Sequence, residues 1–193
     1  MKMESFISMN CMDRIISING PSLVFRVLVG GLLSTTLINT ANAIDYDTMS
    51  SIYNTRVEEM MNTTGWNFGQ ALDTKQIFRE WRQNQARAQL KFSEPGVYHG
   101  KISQITVDNG NANLIIDSGT NTAATVILAN YQAWPWKLVN HKWEIVGLQS
   151  NLEFASNFDV GQELYFQCRK VEFVWGVYLN NCLAFPPEVA KDG

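Results

Sequence analysis

The sequence predicts a mainly β protein with N-terminal helices, an α+β chain in which two helices precede a small five-stranded barrel. Three observations carry this. Apolar residues recur at spacings of three and four over 47–62 and again from Asp73 onward. From Val97 the composition turns to β-formers, punctuated by Asn109-Gly110. Near the end, two strand-like runs, 163–171 and 177–185, each carry one cysteine.

The first 43 residues read as an address and not as domain. Arg26 precedes an apolar run, 27–33, that is too short to span a bilayer, and the segment ends in Ala41-Asn42-Ala43. These are the parts of a secretory signal peptide cut after Ala43; the other reading is an anchor that stays attached. Ser34, Thr35, Thr36, Asn39 and Thr40 fit hydrocarbon poorly and favour cleavage. Met9 or Met12 would serve as a start that gives the leader ordinary length. Cys11 lies ahead of the apolar run, where a lipid-acceptor cysteine does not sit. Residues 44–193 then have the size of one domain. They divide into a helix and linker at 44–72, a helix plus barrel at 73–186 and a tail at 187–193.

The leader holds Lys2, Arg14, Arg26, Glu4 and Asp13, which leaves 12 lysines and arginines against 16 acids, a net charge of −4. A chain that grips phosphate backbones generally carries a positive surplus, since counterion release supplies most non-specific affinity. The sign counts against nucleic acid. Cys168 and Cys182 remain, an even pair suited to a disulfide in an exported chain.

The elements follow in order. Over 47–62, Met49, Ile52, Tyr53, Arg56, Val57, Met60 and Met61 fall on one helical stripe, and Gly65 stops the helix. Trp66 and Phe68 occupy a short linker. A second helix starts at Asp73 or Thr74, where Asp73 and Gln76 have capping-box spacing. Its inward stripe is Ile77, Phe78, Trp81, Ala88 and Leu90, and Lys75, Arg79, Arg82 and Arg87 form a basic outer face. That face reads as a solvated surface, or else as an anion site. Pro95-Gly96 ends it. Strands follow at 98–107, 112–117 and 123–128, joined by the Asn109-Gly110 turn and a second turn at 118–122. The connection at 129–158 fits either a helix with loop or an added hairpin through 142–146. The last two strands pair around 173–176. If they run antiparallel, Cys168 and Cys182 come opposite or nearly so on one face, close enough for a bridge.

Helix, three-stranded meander, long connection and final hairpin is the order of an OB-fold, a five-stranded Greek-key barrel. Within 77–117 stand Asn84, Ala86, Ala88, Gly100 and Lys101; the end carries Gly161-Gln162-Glu163-Leu164 and Asn181-Cys182-Leu183. On these phrases the chain resembles the tRNA_anti-like family of small exported or lipid-anchored OB-fold proteins over about 75–185. The resemblance implies a binding barrel and no catalytic residues. The chain departs from that pattern in lacking the lipid-acceptor cysteine and in its longer Trp-rich connection.

No catalytic signature is present, so the chain reads as a protein that is not an enzyme and has no cofactor. His99 and His141 lack metal spacing, no C-x-x-C occurs, and Ser103 and Ser118 have no glycine elbow. Asp108 and Asp117 flank the first hairpin as turn formers. Trp134, Trp136 and Trp143 fill core beneath the connection or make a stacking platform. With Lys101 and Arg169 they are the candidate ligand-binding residues. The expectation is a periplasmic or secreted binding protein that recognises a protein, peptide or glycan. The alternative is a single-stranded nucleic-acid binder linked to DNA transfer across the envelope, using a stripe of Lys101, Lys137, Lys142, Arg169 and Lys170. A hydrolase with an unfamiliar site, built on His99 or His141, is the third reading.

Overall fold

A computed structural model describes residues 45–119 and 123–192. The expected leader, with Cys11 and the cleavage point at Ala43, lies outside the described residues, as do positions 120–122 of the second turn.

Helix α1 spans Tyr46–Thr63, one residue beyond the expected range at each end. Asp45 caps it by accepting from Thr48 N at 2.9 Å. At the other end the N–H groups of Thr64 and Gly65 both donate to Met60 O, and Gly65 sits at φ 62°, where glycine is favoured. Tyr53, Arg56 and Met60 are the buried positions, whereas Ile52 and Met61, expected on the same stripe, are exposed.

A 3-10 turn (Phe68–Gln70) and strand β1 (Leu72–Asp73) lead to the next helix. The single second helix expected from the sequence is two. Helix α2 (Thr74–Gln83) ends at Asn84, which is extended and whose Oδ1 accepts Arg87 N to cap α3 (Gln85–Lys91). The change of axis turns Leu90 out, 79% exposed, and corrects its place on the inward stripe. Asp73 does cap α2, through Lys75 N at 2.8 Å. Gln76 bonds forward to Glu80 instead of back to the cap, so there is no capping box.

Strand β2 (Gly96–Asp108) bends at a register shift between Ile102 and Gln104. It pairs antiparallel with β3 (Asn111–Asp117), which pairs antiparallel with β4 (Ala123–Leu128). The tight turn between β2 and β3 places Asn109 at φ 49° and Gly110 at φ 79°, both left-handed as a type I′ hairpin requires. The connection contains both features the sequence left open. Strands β5 (Tyr131–Ala133) and β8 (Leu148–Ser150) pair at its base, β6 (Trp136–Val139) and β7 (Lys142–Ile145) form an added hairpin, and helix α4 (Asn151–Ala155) follows. His141, at φ 60°, is a turn residue of that hairpin.

The strand expected over 163–171 breaks at Arg169 into β9 (Glu163–Cys168) and β10 (Lys170–Phe173). Both pair antiparallel with β11 (Val177–Phe185). Strand β11 also runs parallel to β4, and β9 pairs antiparallel with β2. The circuit β2-β3-β4-β11-β9 and back to β2 closes a five-stranded mixed barrel with OB-fold order. Cys168 and Cys182 meet across the last pair in a disulfide with Cα atoms 4.1 Å apart. Residues expected as a tail include helix α5 (Pro187–Asp192), which buries Val189 and Ala190.

Alternating residues fill the barrel: Ile102, Leu114, Ile116, Val126, Leu164, Phe166 and Leu179 are all buried, and Phe154 of α4 joins the same core. Each such side chain contributes about 1.5–3 kcal/mol by leaving water. A second core joins α1, the connection and α5 through Tyr53, Met60, Phe68, Tyr131, Phe185 and Val189. It packs α1 on β5 and β8 and reaches the barrel through Tyr165 of β9 and Leu183 and Phe185 of β11.

Candidate functional site

Besides the bend in β2, the barrel wall is irregular between β4 and β11. Leu179 pairs with Val126, but the next β11 residue in register with β4 is Cys182, opposite Leu128. Asn180 and Asn181 lie in the gap, and Asn181 takes φ 51°. A parallel ladder broken this way leaves backbone carbonyls that need donors. Arg56, on the inner face of α1, supplies them. Its Nε and Nη2 donate to Asn181 O at 3.3 and 3.0 Å. Nη2 also donates to Gln167 O at 3.4 Å and to Gln167 Oε1. Arg56 is only 6% exposed. Burial pulls its pKa down, Glu59 opposes that, and Arg169 adds to it.

One turn along α1, Glu59 accepts a bidentate pair from Arg169, with Nε at 2.7 Å from Oε1 and Nη2 at 2.7 Å from Oε2. Those bonds hold the Glu59 carboxyl below its usual range and push Arg169 up. Glu59 Oε2 also stands 3.7 Å from Arg56 Nη1, an ion pair without a hydrogen bond. The carboxylate therefore lies between two guanidinium groups.

Above this triad is a groove of about 580 Å³. Ser51, Ile52 and Thr55 of α1 form one lip; Ile127, Asn130 and Asn180 form the other. The lips are aliphatic or neutral polar, and Tyr53 and Tyr131, which also line it, are buried. The groove meets the outer face of the barrel, where Asn113, Ile115, Thr125, Ile127, Tyr178 and Asn180 alternate with core residues along β3, β4 and β11. No lysine or arginine occurs in those three strands.

The residues singled out from the sequence are dispersed. Trp134 packs edge-on against Phe154 and Phe158, with ring centroids 6.0 and 5.1 Å away, beside the barrel core. Trp136 and Trp143 belong to the second core, Trp136 lying 6.4 Å from Trp66 and 6.0 Å from Phe185. Lys101 is exposed on β2, in register with Glu163. Lys137 is in register with Glu144, Lys142 with Val139, and Lys170 pairs with Glu172. Of the candidate ligand-binding residues, Arg169 alone lines the groove. On the basic face of α2, Lys75 pairs with Asp117 at 3.4 Å. His99 Nδ1 lies 3.0 Å from Glu163 Oε1, with its ring stacked on Tyr165 at 5.3 Å.

Sequence reasoning placed Arg56 on the inner stripe of α1 and Asn181 in a family phrase without assigning either a role, and missed Glu59. The available signal was a charged residue on an otherwise apolar helix stripe. Among the described residues no group of three His, Cys, Asp or Glu is arranged to hold a metal ion, and no helix is long and apolar enough to cross a membrane. Chemically, the groove offers guanidinium and amide donors flanked by aliphatic contact area.

In comparisons with known proteins the chain matches no family model, no curated protein and no solved structure. The OB-fold-like barrel behind its helices is established by the strand order; the likeness to the tRNA_anti-like family gains no support beyond that barrel.

Proposed function

We propose that this chain is an exported, non-catalytic binding protein of the bacterial cell envelope that recognises a polypeptide partner through the groove between α1 and β4–β11. The groove itself carries the reading. Its volume is about 580 Å³, its lips match aliphatic side chains, and its neutral amides and hydroxyls suit peptide groups. A glycan is less well served, because sugar recognition draws on flat exposed aromatic faces and both tyrosines of the groove are buried. Export rests on the leader pattern and on the disulfide, which persists in oxidising compartments.

Single-stranded nucleic acid is the second reading, favoured by the barrel order, since OB-folds bind oligonucleotides on the face of their second and third strands. Here that face lacks basic residues, and an electrostatic track along the backbone would be missing.

The test is a photo-crosslinking amino acid at Ile127 of the full-length chain in envelope-bearing cells, with Glu94 as the control position. The expected product is a polypeptide adduct from position 127, absent from position 94 and abolished by Thr55→Trp, which fills the groove. Adducts of equal yield from both positions, or a nucleic-acid adduct, refute the reading.

A further inference from the structure

We propose that the groove recognises a carboxylate of an extended peptide, and that Glu59 is its internal stand-in, displaced when the peptide docks. This rests on the polypeptide-binding reading above. Two observations point to it independently. The first is the Arg56–Glu59–Arg169 triad on the groove floor, in which one carboxylate lies between two cations. The second is a shortage of acceptors. Arg56 is more than nine-tenths buried and lines the groove, yet its Nη1 has no hydrogen-bond partner. A buried unsatisfied donor costs about 1–3 kcal/mol, so a further acceptor brought to it is favourable.

Glu59 cannot meet both demands. Its oxygens are turned to Arg169, and the 3.7 Å left to Arg56 Nη1 is beyond hydrogen-bond reach. Nη1 is closed to solvent, so a second carboxylate reaches it only by taking the place of Glu59 beside Arg56 and Arg169. Arg169 and Glu59 are partly exposed, at 52% and 30%, so their pair exchanges at little cost. The aliphatic lips, Ile52 and Ile127, then contact the side chains that precede the carboxylate.

The carboxylate can come from the peptide's C-terminus or from an Asp or Glu side chain, and the test separates them. Full-length protein is immobilised and exposed to three pools of N-acetylated randomised short peptides: free C-terminus without Asp or Glu, amidated C-terminus without Asp or Glu, and amidated C-terminus with them. Retention is read by mass spectrometry. The expected result is that a carboxylate-bearing pool is retained about ten-fold or more over the amidated pool lacking Asp and Glu, as loss of a charge-assisted bidentate contact implies. The first pool being retained assigns the chain terminus; the third assigns a side chain. Arg169→Gln, at a partly exposed position, brings the ratio near one, and Glu59→Gln raises retention because no internal carboxylate competes. Circular dichroism verifies that each variant folds. Equal retention of all pools overturns the carboxylate inference and leaves polypeptide binding standing. No retention of any pool also overturns it, and the crosslink from Ile127 then decides whether the polypeptide reading falls too. A Glu59→Gln variant that binds more weakly refutes the stand-in role.

Discussion

Replacing Arg56 by alanine tests whether α1 is fastened to the barrel through the seam in β11. The guanidinium serves three acceptor oxygens: Asn181 O, Gln167 O and Gln167 Oε1. Hydrogen bonds to a charged group contribute about 1.5–3 kcal/mol each, and a buried acceptor left bare costs about 1–3 kcal/mol. Water from the groove can reach the partly buried Asn181 O, so that loss is discounted. Removing a buried charge also recovers some desolvation, the same burial that lowers the pKa of Arg56. The balance is a destabilisation of about 3 kcal/mol, which for a domain of this size lowers Tm by about 6–12 °C. Urea unfolding of the oxidised full-length chain, followed by tryptophan fluorescence, gives the number. Arg169→Ala is the internal comparison: its pair with Glu59 is half exposed and is worth at most about 1 kcal/mol. A loss at Arg56 below about 0.5 kcal/mol, the range of a surface pair, or one no larger than at Arg169, refutes the argument.

The Cys168–Cys182 bridge closes a loop of sequence separation 14, so Cys168→Ala with Cys182→Ala costs about 3 kcal/mol on the chain-entropy account. Thiol titration of the unreduced, denatured exported protein, which has lost Cys11 with the leader, returns no free thiol; two would exclude the bridge. Gly100→Ala sets a Cβ 2.4 Å from Ile116 Cγ2 and 2.6 Å from Thr74 Oγ1, both in buried residues, and costs about 1–3 kcal/mol in the same urea assay. The Glu59 carboxyl has a folded pKa below its ordinary 4.5, so its contribution is fully present above that value and is lost as pH falls through the folded pKa. The stability gap between the native chain and Glu59→Gln is accordingly constant at neutral pH and closes in acid; a gap that widens in acid contradicts the Arg169 pairing.

The barrel was readable because its signals are local. Alternation marks β3 and β4, Asn109-Gly110 can take the two positive φ values of the β2–β3 turn, and the cysteine spacing fits antiparallel end strands. The breaks were not readable, because tertiary contacts decide them. Asn84 serves equally well inside a helix or as the cap of a new one, and only packing chose the cap. Arg169 interrupts the β9–β10 run, its N–H bonding Asn180 O of β11 while its side chain turns to Glu59 of α1. The connection at 129–158 divides its tryptophans between two cores, which no period in the sequence reveals. The groove joins residues near 55, 130 and 180, and its one local trace was Arg56 on an apolar stripe.

The most direct test of peptide binding at this groove is a methyl NMR titration of the full-length chain with the retained peptide pool. Ile52 and Ile127, on opposite lips, are expected to shift together and saturably, while Leu138 and Ile145 of the β6–β7 hairpin stay still. Shifts confined to the hairpin or to other surfaces, with Ile52 and Ile127 unmoved at saturation, would contradict it.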